Sequence, residues 1–290
     1  MKTPIIKAIA SAIILCLPAT NIFASPNTDP ADTTRKPLQV STDKKPETIL
    51  VLKESNVEFP AILTGNEEQS IDYIEKFSTT RKGYLVRTYN RSKKLFPKAA
   101  AILEKYNVPQ EFKVLLALES GFNPNAISSA GAVGYWQIMD EVAREYGLKI
   151  ANRKKIDKKK MARNEKRHHR IFSVDERKNF VRSTQAAARY LKDRSRNLNN
   201  DWLLIAASYN CGVGNVWNAM EKSGKTNPTF WDIKNYLPAE TRAYVMNFIA
   251  LNVLFNNYEK FTRNELCFKT ITCKEEDRSG FPPIDISVSL

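Results

Sequence analysis

The chain has 290 residues, 42% of them hydrophobic, and a formal charge of +14. That supply of apolar residues suits one large or two modest domains with a real core and excludes a wholly disordered chain. Its only two histidines, His168 and His169, are adjacent. This excludes Ser-His-Asp and Cys-His catalysis and most catalytic zinc sites, which need a histidine facing the nucleophile or several separated ligands. The chemistry should rest on carboxylates, with no metal and no cofactor.

Lys2 and Lys7 precede an apolar run from Ala8 to Leu17, then Pro18 and the small residues Ala19 and Ala24. This is the layout of a secretory signal peptide over residues 1–24. The run falls short of the roughly 20 apolar residues that span a bilayer, so a soluble exported chain is expected, without a transmembrane segment once matured. Ile14 and Leu15 before Cys16 are not the small residues of a lipoprotein signal. Residues 25–66, rich in Pro, Thr, Asp and Lys, read as a disordered linker, with one short apolar stretch around Ile49 to Leu52.

Helical periodicity begins near Ser70. Ile71, Ile74 and Phe77 form one apolar stripe, and Tyr84, Leu85, Tyr89 and Leu95 a second. Pro97 suits the first turn of a helix reaching Tyr106, and Asn107 and Pro109 break it. Alternating, strand-like residues appear only around Ile284 to Leu290. The fold class is therefore all-α: a helical domain over 67–257 with a disordered N-terminal linker and a short C-terminal extension, 258–290.

A basic insertion occupies 149–172. From Lys149 to Arg170 there are eleven Lys or Arg against only Asp157 and Glu165. An anionic partner and a solvated, partly disordered loop are both consistent with it; the export signal argues against nucleic acid. In an oxidising compartment Cys267 and Cys273 can close a small disulfide loop with Cys211 left as a buried thiol, and the alternative is that all three are reduced.

From Pro109 to Ser120 one helix is expected. Phe112, Leu115, Leu116 and Glu119 fall at i, i+3, i+4 and i+7, so the carboxyl shares the apolar face. Burial and the negative end of the helix dipole would both favour the protonated acid. Such an acid can protonate a glycosidic oxygen; the bland alternative is a Glu that leaves the helix end into solvent. After it, Gly121 can end the helix, Asn123-Pro124 turns the chain, and the small residues from Ser128 to Gly134 let backbone approach a ligand.

Four blocks then occur in order. They are Glu119-Ser120-Gly121-Phe122-Asn123-Pro124-Asn125-Ala126 followed by Ser128; Gly131-Ala132-Val133-Gly134-Tyr135-Trp136-Gln137-Ile138-Met139; Ala207-Ser208-Tyr209-Asn210-Cys211-Gly212; and Pro238-Ala239-Glu240-Thr241-Arg242-Ala243-Tyr244-Val245. In these the chain resembles the family 1 lytic transglycosylases, with their goose-lysozyme-like fold, most closely the membrane-bound type D branch. The likeness covers roughly Ser70 to Asn257.

The resemblance implies that Glu119 is the sole catalytic acid and base. It also implies that Ser128, Gln137, Met139, Tyr209, Asn210, Glu240 and Tyr244 line or support a site for peptidoglycan glycan strands. Each residue also has a plainer reading. Tyr209 and Asn210 could end the helix that starts near Asp201, Glu240 could favour a helix N-terminus, and Gln137 and Met139 could be core or turn residues. Asp140 and Val142 depart from the Pro and Thr usual there, so Asp140 could cap the next helix or reach the site and help activate water.

The implied reaction cleaves the MurNAc-GlcNAc bond with formation of 1,6-anhydromuramyl ends, in the periplasm or cell envelope, with peripheral attachment to the outer membrane and contact with envelope or secretion machinery as further expectations. Its rivals are a goose-type lysozyme-like hydrolase and a non-catalytic peptidoglycan-binding protein.

Overall fold

Two segments in the second half of the chain are apolar almost all round, and such helices must be enclosed by others. A computed structural model, which describes residues 50–150 and 174–274, shows this arrangement. The elements are β1 (Leu50–Lys53), α1 (Glu67–Thr80), α2 (Lys82–Ser92), α3 (Phe96–Lys105), α4 (Leu115–Ser120), α5 (Asp140–Glu145), α6 (Phe180–Asn197), α7 (Trp202–Cys211), α8 (Val213–Ser223), α9 (Phe230–Ile233), α10 (Ala239–Asn256), α11 (Tyr258–Thr262) and β2 (Ile271–Lys274). Residues 56–268 form the helical unit.

In that unit α10 packs against α1, α4 and α7. Every residue of α7 from Leu203 to Cys211 is buried, and Val245, Phe248, Ile249 and Leu251 of α10 are fully enclosed. Local signals set the ends. Asp201 caps α7 by accepting bonds from Leu203 N and Leu204 N, both at 3.0 Å, and Gly212 stops it at φ 81°, a value that favours glycine. Pro97 sits in the first turn of α3.

The helical expectation holds for this unit, and three details of the chain differ from the sequence reading. The segment from Pro109 to Ser120 is not one helix: Gln110–Val114 is a 3₁₀ turn that leads into α4. Tighter turns are common at helix starts, and Phe112, Leu115, Leu116 and Glu119 still all face inward. Second, strands occur away from the C-terminus: β1, on the apolar stretch near Ile49, pairs antiparallel with β2, Leu50 opposite Lys274 and Lys53 opposite Ile271.

Third, residues 56–66 are no linker. Leu63 is fully buried, and the buried Asn257 amide holds the segment, accepting from Glu58 N at 3.0 Å and donating to Glu58 O at 2.7 Å. The segment is more apolar than the linker before it: Val57, Phe59 and Ile62 pack against the core beside Leu63, and the shared amide fixes its backbone. Leu266 and Phe268, in the expected C-terminal extension, likewise pack against the core.

The signal peptide, most of the linker and of the basic insertion, and Ile284 to Leu290 lie outside the described residues. The chain on either side of the insertion is closed by a neck: Glu176 N donates to Lys149 O, and Lys149 N to the Glu176 carboxylate, each at 2.8 Å. Cys211 is a buried free thiol. Cys267 is also buried; the side chain of Cys273 lies outside the described residues, and with it the expected disulfide.

Asn257→Ala should therefore cost about 0.5–1.5 kcal/mol, the net worth of a typical hydrogen bond, because Glu58 is exposed and its carbonyl also accepts from Asn256. A lowered urea midpoint with faster proteolysis between residues 56 and 66 is the expected result; an unchanged midpoint would show that the apolar contacts of Val57, Phe59, Ile62 and Leu63 dock the segment without the amide.

Candidate active site

α4 delivers a carboxyl into the interior. Leu115 to Leu118 are buried, and Glu119 is only 8% exposed. The helix then stops abruptly. Gly121, at φ 56°, donates to Ala117 O, and Phe122 N donates to Leu116 O, both at 3.1 Å. These bonds satisfy the last carbonyls and turn the chain away, leaving Glu119 at the end of a rigid apolar helix.

A buried carboxyl needs hydrogen-bond donors. Tyr244 Oη, from α10, donates to Glu119 Oε1 at 2.6 Å. Burial first, then the Glu119 charge and the bond to it, push the Tyr244 phenol well above its ordinary value, so it stays a donor at every working pH. Tyr209 of α7 is held up for the same reasons, burial and then Glu119, and its Oη donates to Trp136 O at 2.8 Å. Asn210 is buried and accepts from Thr241 Oγ1 at 2.8 Å.

The loop from Ser128 to Met139 is folded by its own backbone. Val133 and Ile138 exchange two bonds at 3.1 Å, Ser128 N donates to Ala132 O at 3.0 Å, and Ser128 Oγ accepts from Ala132 N at 3.0 Å. Ser120 Oγ, next to Glu119, donates to Tyr135 O at 2.9 Å. Trp136 is fully buried, with Nε1 donating to Thr184 Oγ1 at 2.9 Å. The loop is thereby tied to α4, α6 and α7 together.

Among the expected site residues, the structure brings Glu119, Tyr209 and Tyr244 into one buried cluster, with Asn210 on α7 beside it. Gln137 is 3% exposed, has φ 45°, and donates its amide to Gly134 O at 2.9 Å and Ala126 O at 3.2 Å. Its amide nitrogen thus serves the loop itself. Met139, half-buried, precedes α5 as its cap residue. Glu240 is exposed in the first turn of α10, the plainer of its two readings. Asp140 neither caps α5 through its side chain nor offers an uncommitted carboxylate: it forms an ion pair with Arg177.

Arg177, Asp175 and Thr184 are the participants that sequence reading passed over. Asp175-Glu176-Arg177 follows directly on the basic insertion and looks like more of its charge. The structure buries the Arg177 guanidinium to 4% exposure. Burial, the largest influence on Asp175, acts to raise its carboxyl, but the hydrogen bonds and charge of Arg177 outweigh it and hold the group below its ordinary range.

Glu119, its phenol donor and the glycine loop form one cluster carried by α4, α7 and α10. Residues 97–231 match the family described as the transglycosylase SLT domain. The matched residues include Glu119, the loop, Tyr209 and Asn210; Glu240 and Tyr244 lie beyond them.

The chain is 32% identical over 182 residues to membrane-bound lytic murein transglycosylase D of Escherichia coli K12, covering 62% of this chain and 35% of that protein. It is 25% identical to membrane-bound lytic murein transglycosylase F of Shewanella pealeana over 59% of this chain and 32% of that one. The chain thus spans about a third of these relatives' length. Among solved structures, a lytic transglycosylase Slt from Pseudomonas aeruginosa is similar at TM-score 0.42 and 18% identity, over 63% of this chain and 27% of that chain.

Two outcomes follow. Tyr244→Phe removes a donor that favours the ionised carboxyl, so the alkaline limb of the pH–rate profile should move to higher pH while the fold is kept; an unmoved limb would remove Tyr244 from the acid's control. Asp175→Asn should lower the thermal midpoint. Because the Asp175 carboxyl is depressed in the folded state, the difference from wild type should be full above about pH 4 and shrink as pH falls below it, as scanning calorimetry across pH would show.

Proposed function

We propose that the chain is a peptidoglycan lytic transglycosylase that cleaves the β-1,4 bond between N-acetylmuramic acid and N-acetylglucosamine. The observation that carries this is the single committed acid. Glu119 is buried with Tyr244 donating to it, whereas Asp140, the other carboxylate beside the loop, is bound to Arg177. Glycosidases that use water or a covalent intermediate ordinarily place two carboxyls at a set separation. A site with one must draw the second function from the sugar.

In this reading Glu119 gives its proton to the glycosidic oxygen as the C1–O bond breaks, and N-acetylglucosamine leaves with a free 4-hydroxyl. The muramyl acetamido oxygen stabilises C1. Glu119, now a carboxylate, takes the proton of the muramyl C6 hydroxyl, whose oxygen bonds to C1 and closes the 1,6-anhydro ring. The acid is regenerated and no water is consumed. Tyr244 supports the ionised form between the two proton transfers, and Tyr209 holds the loop through Trp136.

Two relatives are described as membrane-bound lytic murein transglycosylases, which supports a site of action in the cell envelope; among the described residues no helix is long and apolar enough to cross a membrane. The basic insertion then has an anionic surface to meet in the wall's peptide and lactyl carboxylates.

The test is mass spectrometry of soluble fragments released from purified sacculi by the protein and by Glu119→Gln. Anhydromuramyl ends, with release lowered about 10²–10⁴-fold in the variant, are expected. Reducing ends would make the enzyme a hydrolase, and no release by either protein would leave a wall-binding protein.

A further inference from the structure

The loop tied to the Glu119 helix through Ser120 is gripped from two sides. On the inner side Ser120 Oγ and Tyr209 Oη donate to the carbonyls of Tyr135 and Trp136, at 2.9 and 2.8 Å. On the outer side, among the described residues, the guanidinium of Arg177 holds it. Its Nη1 donates to Ile138 O at 3.2 Å and to the Asp140 carboxylate, while Nε and Nη2 fork onto Asp175 at 2.9 and 2.7 Å.

The backbone of the same residue presses on the other end of the loop. A Cβ added at Gly134, where φ is 85°, would lie 2.1 Å from Arg177 O. No side chain larger than hydrogen fits there, so the two backbones are in direct contact. One residue thus fixes both Gly134 and Ile138, and the carbonyls that meet Ser120 and Tyr209 lie between those points.

The charges suit this role. Asp175, 9% exposed at its side chain, neutralises the guanidinium, and Asp140, 48% exposed, adds a second carboxylate from the first turn of α5. A planar fork can serve Asp175 and still direct Nη1 to a carbonyl and a carboxylate. A lysine ammonium has no such geometry.

Resting on the transglycosylase reading, we propose that Arg177 is a positioning residue of this enzyme: it sets the Gly134–Met139 loop against the Glu119 helix, and through the loop determines how firmly a glycan strand is seated beside the acid. Asp140, which stands where the family usually has proline, is its partner in this chain. Arg177 touches neither the substrate nor the reacting atoms.

The experiment compares wild type, Arg177→Met, Arg177→Lys and Asp140→Asn by amide hydrogen exchange and by kinetics on soluble, uncrosslinked glycan strands. In Arg177→Met the amides from 133 to 138 should exchange at least tenfold faster while α7 and α10 keep their protection, and kcat/KM should fall at least tenfold, mostly through KM. Arg177→Lys should recover less than half of the loss, and Asp140→Asn should show the same pattern at about threefold. Unchanged loop exchange, or exchange quickened evenly through the helices, would overturn the proposal. If Arg177→Met does not fold, the other two variants decide on the same criteria. Exchange needs no substrate, so a wild type that releases no fragments would refute the enzymatic reading and leave the loop-setting role still measured.

Discussion

The molecule is organised around the cost of keeping a carboxyl out of water. An unpaired buried carboxylate is so unfavourable that it must find donors or stay protonated. Here the donor is the Tyr244 phenol, 125 residues further along the chain and 2.6 Å from Glu119. The bond forms only if α10 crosses α4 at the right height. That in turn requires the apolar surfaces of Leu115, Leu116, Phe112 and Phe248 to close on one another. The chemistry and the core therefore depend on the same packing.

Around that contact the polar groups form a chain of dependence. Tyr209 serves Trp136, Trp136 serves Thr184, Ser120 serves Tyr135, and Arg177 encloses the loop from outside. Each of these residues has a buried or half-buried polar group, and each is matched by a partner from a different element. Fully paired networks of this kind specify one arrangement because any alternative leaves a group orphaned.

Most of the helical architecture was legible in the sequence because it rests on local signals: the apolar run of α7 between Asp201 and Gly212, Pro97 opening α3, and the i, i+3, i+4, i+7 face ending in Glu119. The four blocks identified the candidate acid, and the structure encloses it. What could not be read depended on distant pairing. Nothing local marks β1 as the partner of β2, or Asn257 as the dock for residues 56–66. Gln137 reads as a sugar contact in its block, yet its positive φ and inward amide come from the closed loop. Arg177 was hidden in plain view, one more cation after eleven others, and only burial distinguishes it.

The neck between Lys149 and Glu176 has an implication for how such a chain can change. Two hydrogen bonds of 2.8 Å fix Lys149 and Glu176 to each other. The conformational cost of a loop grows slowly with its length, by about 0.6 kcal/mol for each doubling. Ile150 and Asp175, inside the neck, belong to the body through the core and Arg177, but the body is thus little affected by changes of length or charge within residues 151–173. Insertions, deletions and charge substitutions can accumulate there as in an exchangeable cassette, so the chain can acquire new surface contacts while the geometry around its acid is inherited unaltered.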